Sequence, residues 1–277
     1  MNPVTNRTTS FAIAAPLLRI ERRGRVLAVT MARAPVNALN DALIAQLDAA
    51  ADIAIGDDDI AVLHIRSDQR AFSAGADLAL IRACFATPEG PDAMTGVVRD
   101  MQRLYDKLEA APLVTLAEIG ATALGGGLEL ALACDLRVAA REIRLGLPEA
   151  GLGLLPGAGG TQRLTRLVGP GVAKRMILGA EVCSGEEAER IGMVQWSRPL
   201  ADLADWTAAL AARYAAMPKA ALAANKRCIA AATDCARDGY AEEIAETRRL
   251  YDHPDTRQRV GAFLDRGAPG ASAQAAH

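Results

Sequence analysis

Glycine is concentrated in one stretch of this 277-residue chain, between residues 120 and 160. Ten of these 41 positions are glycine, compared with a usual frequency of about 7%. Three are consecutive, Gly125 to Gly127, and stand between a short apolar run and a helical pattern. This arrangement predicts a strand-to-helix turn, whose first amides have no partner inside the helix. Such amides suit a ligand oxygen that gains negative charge.

Two glutamates are isolated within this apolar, glycine-rich stretch. Glu129 is the only charged residue from position 119 to 134, and Glu149 is the only one from 145 to 162. Burial disfavours the charged form of a carboxyl group and raises its pKa toward neutrality. The pair is therefore a candidate for acid and base catalysis. Two simpler interpretations stay open: Glu129 as an acid in the first turn of a helix, and Glu149 as an acid in a surface loop.

The rest of the chain alternates strand and helix patterns before it becomes helical. The pattern predicts a hairpin at 17–31 turned at Gly24, a helix from 41, a strand at 61–65, a loop at 70–76, helices at 77–85 and 92–110, a strand at 113–119, a helix at 126–134 and a strand at 136–140. After Gly157 only helices are predicted, at 158–168, 171–179, 184–190, 201–217, 218–235, 239–252 and 255–265. The alternation indicates an α/β architecture whose loops carry the site.

This pattern predicts a core that holds the active site and a separate helical part. We expect a core at 17–200, a C-terminal helical subdomain at 201–266, and flexible tails at 1–16 and 267–277. No internal repeat and no long linker interrupts this order.

Composition excludes several classes of partner. A net charge of -2 and a pI near 6.0 give no electrostatic support for binding nucleic acid or an anionic membrane surface. No apolar stretch reaches the ~20 residues needed to span a bilayer. The five cysteines are odd in number and lack a C-x-x-C pair, which predicts reduced thiols and a cytoplasmic protein. The three histidines lack ligand spacing, so no metal site is expected.

A second group of free amides is predicted in the segment Ala71 to Leu78. This segment follows a buried strand and opens a helix, and Asp77 is placed to cap that helix. Two amides from separate loops that meet at one oxygen form an oxyanion hole. Each loop alone is a common structural device, so the two loops must be considered together with the glutamates.

Together these segments resemble the enoyl-CoA hydratase/isomerase, or crotonase, superfamily, and in particular its hydratase-like subgroup. The matching segments, in the order and spacing of the family, are Pro35–Asn40, Ala71–Leu78, Ala123–Leu130 and Leu147–Leu164. The resemblance covers roughly residues 17 to 266. It implies the crotonase (ClpP-like) fold, in which repeated ββα units form a spiral core followed by a C-terminal helical subdomain.

The resemblance also implies roles for individual residues. The amides of Ala76 and Gly126 match the oxyanion hole, and Glu129 and Glu149 match the two catalytic glutamates of the hydratases. Further positions match those that surround the substrate and its coenzyme A arm: Val36, Ala38, Ala74, Asp77, Leu78, Gly125 and Gly157. Asp77 has a second interpretation, as a helix cap only.

The activity implied is addition of water across the 2,3 double bond of a 2-enoyl-CoA thioester by a homotrimer or dimer of trimers. No separate cofactor is implied, because coenzyme A is part of the substrate. The alternatives are a Δ3-Δ2-enoyl-CoA isomerase, another crotonase-type acyl-CoA lyase, and a non-catalytic acyl-CoA-binding or RNA-associated relative. The chain lacks two lysines common in the family, near Ala34 and at Ala79, so Arg33 or Arg82 is expected to contact phosphate instead.

Overall fold

The computed structural model describes residues 16–267, whose strands form two sheets flanked by helices. The larger sheet contains, from one edge to the other, β1 (Leu18–Arg23), β2 (Val26–Met31), β3 (Val62–Ser67), β5 (Val114–Ile119), β7 (Leu136–Ala140) and β10 (Trp196–Arg198). The smaller sheet contains β4 (Ala71–Ser73), β6 (Thr122–Leu124), β8 (Arg144–Gly146) and β9 (Val182–Ser184).

The helices surround these sheets and make up most of the last third of the described chain. They are α1 (Asp41–Gly56), α2 (Leu78–Cys84), α3 (Gly90–Ala110), α4 (Gly126–Leu132), α5 (Gly160–Leu178), α6 (Gly185–Arg190), α7 (Leu200–Ala215), α8 (Lys219–Ala231), α9 (Gly239–Asp252) and α10 (Pro254–Gly267). A 3₁₀ helix spans Pro148–Leu152.

The larger sheet forms because its inner strands are mostly apolar and buried on both faces. Every residue of β2 and of β5 is buried. Strands β2, β3, β5 and β7 pair in parallel, as is typical of strands that are covered on both faces. Strand β1 adds an antiparallel edge through a turn at Gly24, whose φ of 60° suits glycine. The predicted hairpin and buried strands are confirmed.

The smaller sheet brings the site loops together. Strands β4, β6 and β8 pair in parallel, so their carboxyl ends lie at one edge. The loop at 74–77, the turn at Gly125 and the 3₁₀ helix that carries Glu149 follow these three ends. Because β3-β4-α2 and β5-β6-α4 repeat the same order of elements, the predicted ββα units are confirmed.

Two predictions about strands are wrong. The segment 70–76 is not a plain loop, because it contains β4, and strands β9 and β10 occur after Gly157. Each of these strands is three residues long, which is too short to show the alternation that identifies a strand in a sequence.

Helix α5 joins two predicted helices, 158–168 and 171–179, into one element. Gly169 leaves helical geometry, with φ 76° and ψ 161°, and Pro170 follows it. The gap between the two predicted helices therefore corresponds to a kink in α5 at Gly169. Ser184 caps α6, since its hydroxyl accepts a hydrogen bond from Glu187 N at 3.1 Å.

Helix α7 packs on the larger sheet, where Leu203, Leu210 and Ala211 join the main core, whereas α8, α9 and α10 pack in sequence on one another. The predicted boundary between residues 200 and 201 stays a prediction. Apart from Pro16 and Gly267, the predicted flexible tails lie outside the described residues. Between residues 16 and 267, no helix is both long and apolar enough to cross a membrane.

Candidate active site

The loop after β4 and the turn after β6 lie side by side. Ser73 pairs with Ala123, and a Cβ added to Gly75 would lie 3.3 Å from Gly126 N. Gly75 has a φ of 92°, a conformation that favours glycine. Among residues 16–267, neither Ala76 N nor Gly126 N donates a hydrogen bond to another protein group. The structure thus brings together the two amides matched to the oxyanion hole.

The segment 35–39 supports the loop after β4. Leu39 N donates to Gly75 O at 2.8 Å, and Leu39 O accepts from Asp77 N at 2.9 Å. Ala74 N donates to Val36 O at 3.0 Å. The residues matched to the coenzyme A arm therefore lie on two adjacent segments: Val36, Ala38, Ala74, Asp77 and Leu78.

Asp77 caps helix α2, as one of its two interpretations predicts. One carboxylate oxygen accepts from Ala79 N at 2.9 Å, and the other pairs with Arg33 Nη2 at 2.7 Å. Arg33 also donates to Ala38 O at 2.7 Å. Arg33 is therefore anchored beside the loop, which limits its reach toward a phosphate.

Glu129 lies in the first turn of α4 and is 2% exposed. Its Oε1 accepts a hydrogen bond from Gly160 N at 2.7 Å. Burial raises the pKa of Glu129 to about 7; the Gly160 hydrogen bond opposes this rise and the nearby Glu149 adds to it. A side chain this buried is not an exposed helix-end acid, and its carboxyl group can exchange a proton near neutral pH.

Glu149 is half-buried in the 3₁₀ helix, and not in the surface loop of the alternative interpretation. Its carboxylate packs against the glycine turn, since a Cβ added to Gly125 would lie 2.8 Å from Oε1. Its Oε2 is buried and has no hydrogen-bond partner within the described chain. Burial raises the pKa of Glu149. This unpaired oxygen is available to a reacting group beside Gly125.

The loop from Gly157 to Gly160 closes the site on the side of α5. Gly157 O accepts from Gln102 Nε2 at 2.7 Å, and a Cβ on Gly157 would lie 3.1 Å from Val98. Gly160, whose amide donates to Glu129, is not among the site residues that the sequence predicts. It lies 31 positions after that glutamate, and the glycine run itself is the only sequence signal for this role.

An apolar groove of about 240 Å³ extends from the residues after Asp77 to those after Glu149. Arg82 is the only charged side chain in its lining, which consists of Leu78, Ile81, Arg82, Phe85, Leu152 and Leu154. In the described part of the chain, no group of three His, Cys, Asp or Glu side chains is arranged to hold a metal ion.

Residues 21–270 match the family model described as enoyl-CoA hydratase/isomerase. The chain belongs to the enoyl-CoA hydratase/isomerase family. The Escherichia coli 2,3-dehydroadipyl-CoA hydratase is 35% identical over 255 residues, which cover 91% of this chain and 97% of that protein. A probable enoyl-CoA hydratase of Bacillus subtilis is 32% identical, over 88% of this chain and 94% of that protein.

Solved structures agree with this membership of the enoyl-CoA hydratase/isomerase family. Pseudomonas aeruginosa DspI gives a TM-score of 0.84 at 36% identity and covers 94% of this chain and 98% of its own. A Bacillus anthracis enoyl-CoA hydratase gives a TM-score of 0.83 at 28% identity, over 91% and 97% of the two chains. The predicted crotonase fold is confirmed, and the relatives support a hydro-lyase that hydrates an enoyl-CoA thioester.

Proposed function

We propose that this enzyme hydrates the 2,3 double bond of a 2-enoyl-CoA thioester by using Glu129 and Glu149 as a base and acid pair. The observation that carries this proposal is that the amides of Ala76 and Gly126 lie beside the turn at Gly125, which contacts the carboxyl group of Glu149 and begins the helix that carries the buried Glu129. Hydration of an α,β-unsaturated thioester needs both kinds of group. The amides stabilise the negative charge that the thioester oxygen gains, and the carboxyl groups transfer protons as water adds to the alkene.

The amides of Ala76 and Gly126 form the proposed oxyanion hole. Their hydrogen bonds to the thioester oxygen withdraw electron density from the conjugated alkene, which makes the β carbon electrophilic. The same bonds stabilise the enolate that follows attack. In related oxyanion holes, loss of one donor reduces kcat by about 10² to 10³-fold.

The two carboxyl groups move the protons. Glu129, whose Oε1 is held by the Gly160 amide, takes a proton from water as the water oxygen bonds to the β carbon. Glu149, whose Oε2 has no partner among residues 16–267, delivers a proton to the α carbon. Burial raises the pKa of both groups, and the charge of Glu149 raises the pKa of Glu129 further, so we expect the two carboxyl groups to titrate as a coupled pair.

The groove beside the proposed site supports an apolar acyl group as substrate, and the proposed reaction uses no separate cofactor. The groove beside Leu78 and Leu152 is almost entirely apolar, with Arg82 free to meet an anionic part of the substrate. The thioester itself accepts the developing charge, so the proposed reaction needs no additional electron acceptor. The proposal includes assembly as a homotrimer or dimer of trimers, which the apolar side chains exposed on the C-terminal helices support. It also includes a cytoplasmic location, which the five free thiols support.

Replacement of each glutamate tests this mechanism. We expect Glu129→Gln and Glu149→Gln to reduce hydration of crotonyl-CoA by about 10² to 10⁴-fold, since each removes one proton-transfer group. Hydration is followed as the loss of the 2-enoyl thioester absorbance. Glu118→Gln, a buried glutamate of β5 beside His64, is the matched control and should retain wild-type kcat.

The same assay separates the alternatives. Activity that survives both glutamate substitutions contradicts the mechanism. Faster turnover of 3-enoyl-CoA than of 2-enoyl-CoA thioesters would favour an isomerase. Binding of acyl-CoA thioesters without turnover across a broad panel would favour a non-catalytic protein.

A further inference from the structure

Arg163 lies in the first turn of α5 and is one of the few charged side chains buried in the described structure, at 7% exposure. Two exposed acids of helix α3 bind its guanidinium. Nη2 lies 2.6 Å from Asp106 Oδ1, and Nε donates to Glu109 Oε2 at 3.0 Å. These bonds tie the start of α5 to α3.

The remaining guanidinium bond reaches the loop beside the proposed base. Nη1 of Arg163 donates to Ala158 O at 3.1 Å. The guanidinium fills the space under Gly159, where an added Cβ would lie only 2.2 Å from Nη1. Gly159 has a φ of 98°, so glycine is favoured there by the backbone as well as by the available space.

The opposite side of this loop holds Glu129. The amide of Gly160 donates to Glu129 Oε1 at 2.7 Å, and the nearby backbone of Ala158 also lowers the pKa of Glu129. The carbonyl of Ala158 thus accepts from Arg163, while the amide of Gly160 in the same loop donates to the carboxylate. A displacement of the loop would move this amide away from Glu129.

We infer that Arg163 is a positioning residue, which fixes residues 157–160 so that the amide of Gly160 holds the carboxylate of Glu129. The inference rests on the proposed role of Glu129 in proton transfer. Among the described residues, Arg163 donates no hydrogen bond to Glu129 and acts on it through the loop. Its proposed role is therefore distinct from that of the catalytic pair, Glu129 and Glu149. The positive charge of Arg163 also favours the ionised form of the Glu129 carboxyl group.

The test compares Arg163→Met with Arg166→Met. Arg166 is the matched control because it lies one turn further along α5, is half-exposed, and approaches the same Glu109 at 3.5 Å without any bond to the loop. For Arg163→Met we expect kcat for crotonyl-CoA to fall about 10²-fold with little change in KM, since a misplaced catalytic group slows the chemical step. Arg166→Met should keep the wild-type kcat.

The pH dependence of kcat/KM separates positioning from a general loss of stability. Loss of the cation and of the hydrogen bond from Gly160 N disfavours the charged form of Glu129, so its pKa rises and the acidic limb of the bell-shaped profile moves to higher pH. Arg163→Lys keeps the charge and should restore part of this shift. An Arg163→Met profile that matches wild type, with only a lower Tm, would overturn the inference.

A second variant covers the case in which Arg163→Met does not fold. Asp106→Ala combined with Glu109→Ala removes both acceptors on α3 and so releases the guanidinium by changing two exposed side chains. We expect kcat to fall in this variant too, and wild-type kcat would overturn the inference. Glu129→Gln in the same assay tests the proposed function separately: full activity of that variant contradicts the role of Glu129 itself.

Discussion

Gly160 gives the proposed base both a hydrogen bond and the room that it occupies. An added Cβ would lie 2.8 Å from Glu129 Oε1 and 2.9 Å from Pro156 Cβ. Because groups crowd the position from two sides, neither can relax without displacing the site. Glycine at position 160 therefore positions the carboxylate of Glu129 in two ways: its amide donates a hydrogen bond, and its lack of a side chain leaves room for the carboxylate.

Gly160→Ala should thus damage catalysis more than folding. We expect kcat to fall about 10²-fold, because the new methyl group displaces the carboxyl group of Glu129. Gly171→Ala, in the same helix, is the control: apart from its chain neighbours and its own helix backbone, no atom of residues 16–267 lies within 4 Å of its added Cβ. The control should keep kcat and raise the free energy of unfolding by about 0.4 to 1 kcal/mol. Wild-type kcat in Gly160→Ala would contradict the packing argument.

At the scale of elements, the segment 35–39 positions the proposed oxyanion loop through one buried side chain. Asn37 is fully buried and has a φ of 49°, a conformation that asparagine tolerates better than most residues. Its Oδ1 accepts from Arg33 N at 2.8 Å, while Nδ2 donates to Ser67 Oγ at 2.7 Å and to Phe72 O at 3.1 Å. One amide thereby joins the segment to β3 and β4.

Asn37→Ala should lower the free energy of unfolding by about 3 kcal/mol, because it leaves buried polar groups without partners. Urea denaturation measures this loss, and a lower kcat at a temperature where the variant is folded would show that the oxyanion loop has moved. Asn225→Ala is the control, since Asn225 is exposed and makes one bond to Ala221 O. Its effect should stay within about 0.5 kcal/mol. Equal stabilities of the two variants would contradict the role of Asn37.

Sequence reasoning located the loops of the site better than it located their supports. Gly126 and Glu129 share one segment whose unusual composition makes it a candidate site, and the family resemblance assigns a role to each residue. Tyr105 could not be found in this way: it is fully buried on α3 and donates to Gly126 O at 2.7 Å across 21 residues of sequence. The sequence does not predict strand β4, because three residues carry no periodic signal. Tertiary contacts determine both features.

At the scale of the whole molecule, the last two helices present apolar residues that the single chain leaves exposed. On α9, Tyr240, Ile244 and Tyr251 recur at helical spacing, with 84%, 73% and 66% exposure. On α10, Val260, Phe263 and Leu264 form a second stripe, each more than half exposed. Exposed apolar stripes of this kind are typical of surfaces that contact another protein. They support the proposed assembly of several copies.

Charge placed on these stripes should therefore dissociate the assembly. We expect the wild-type protein to have at least three times the 29.0 kDa mass of one chain in light scattering after size exclusion. Phe263→Glu combined with Ile244→Glu should shift this mass toward that of the monomer, because a charge within an apolar interface loses its hydration. Ile53→Glu, on a half-exposed residue of α1, controls for charge itself and should leave the mass unchanged. A wild-type protein that is monomeric at micromolar concentration would contradict the proposed trimer, and an unchanged mass in the double variant would place the interface elsewhere.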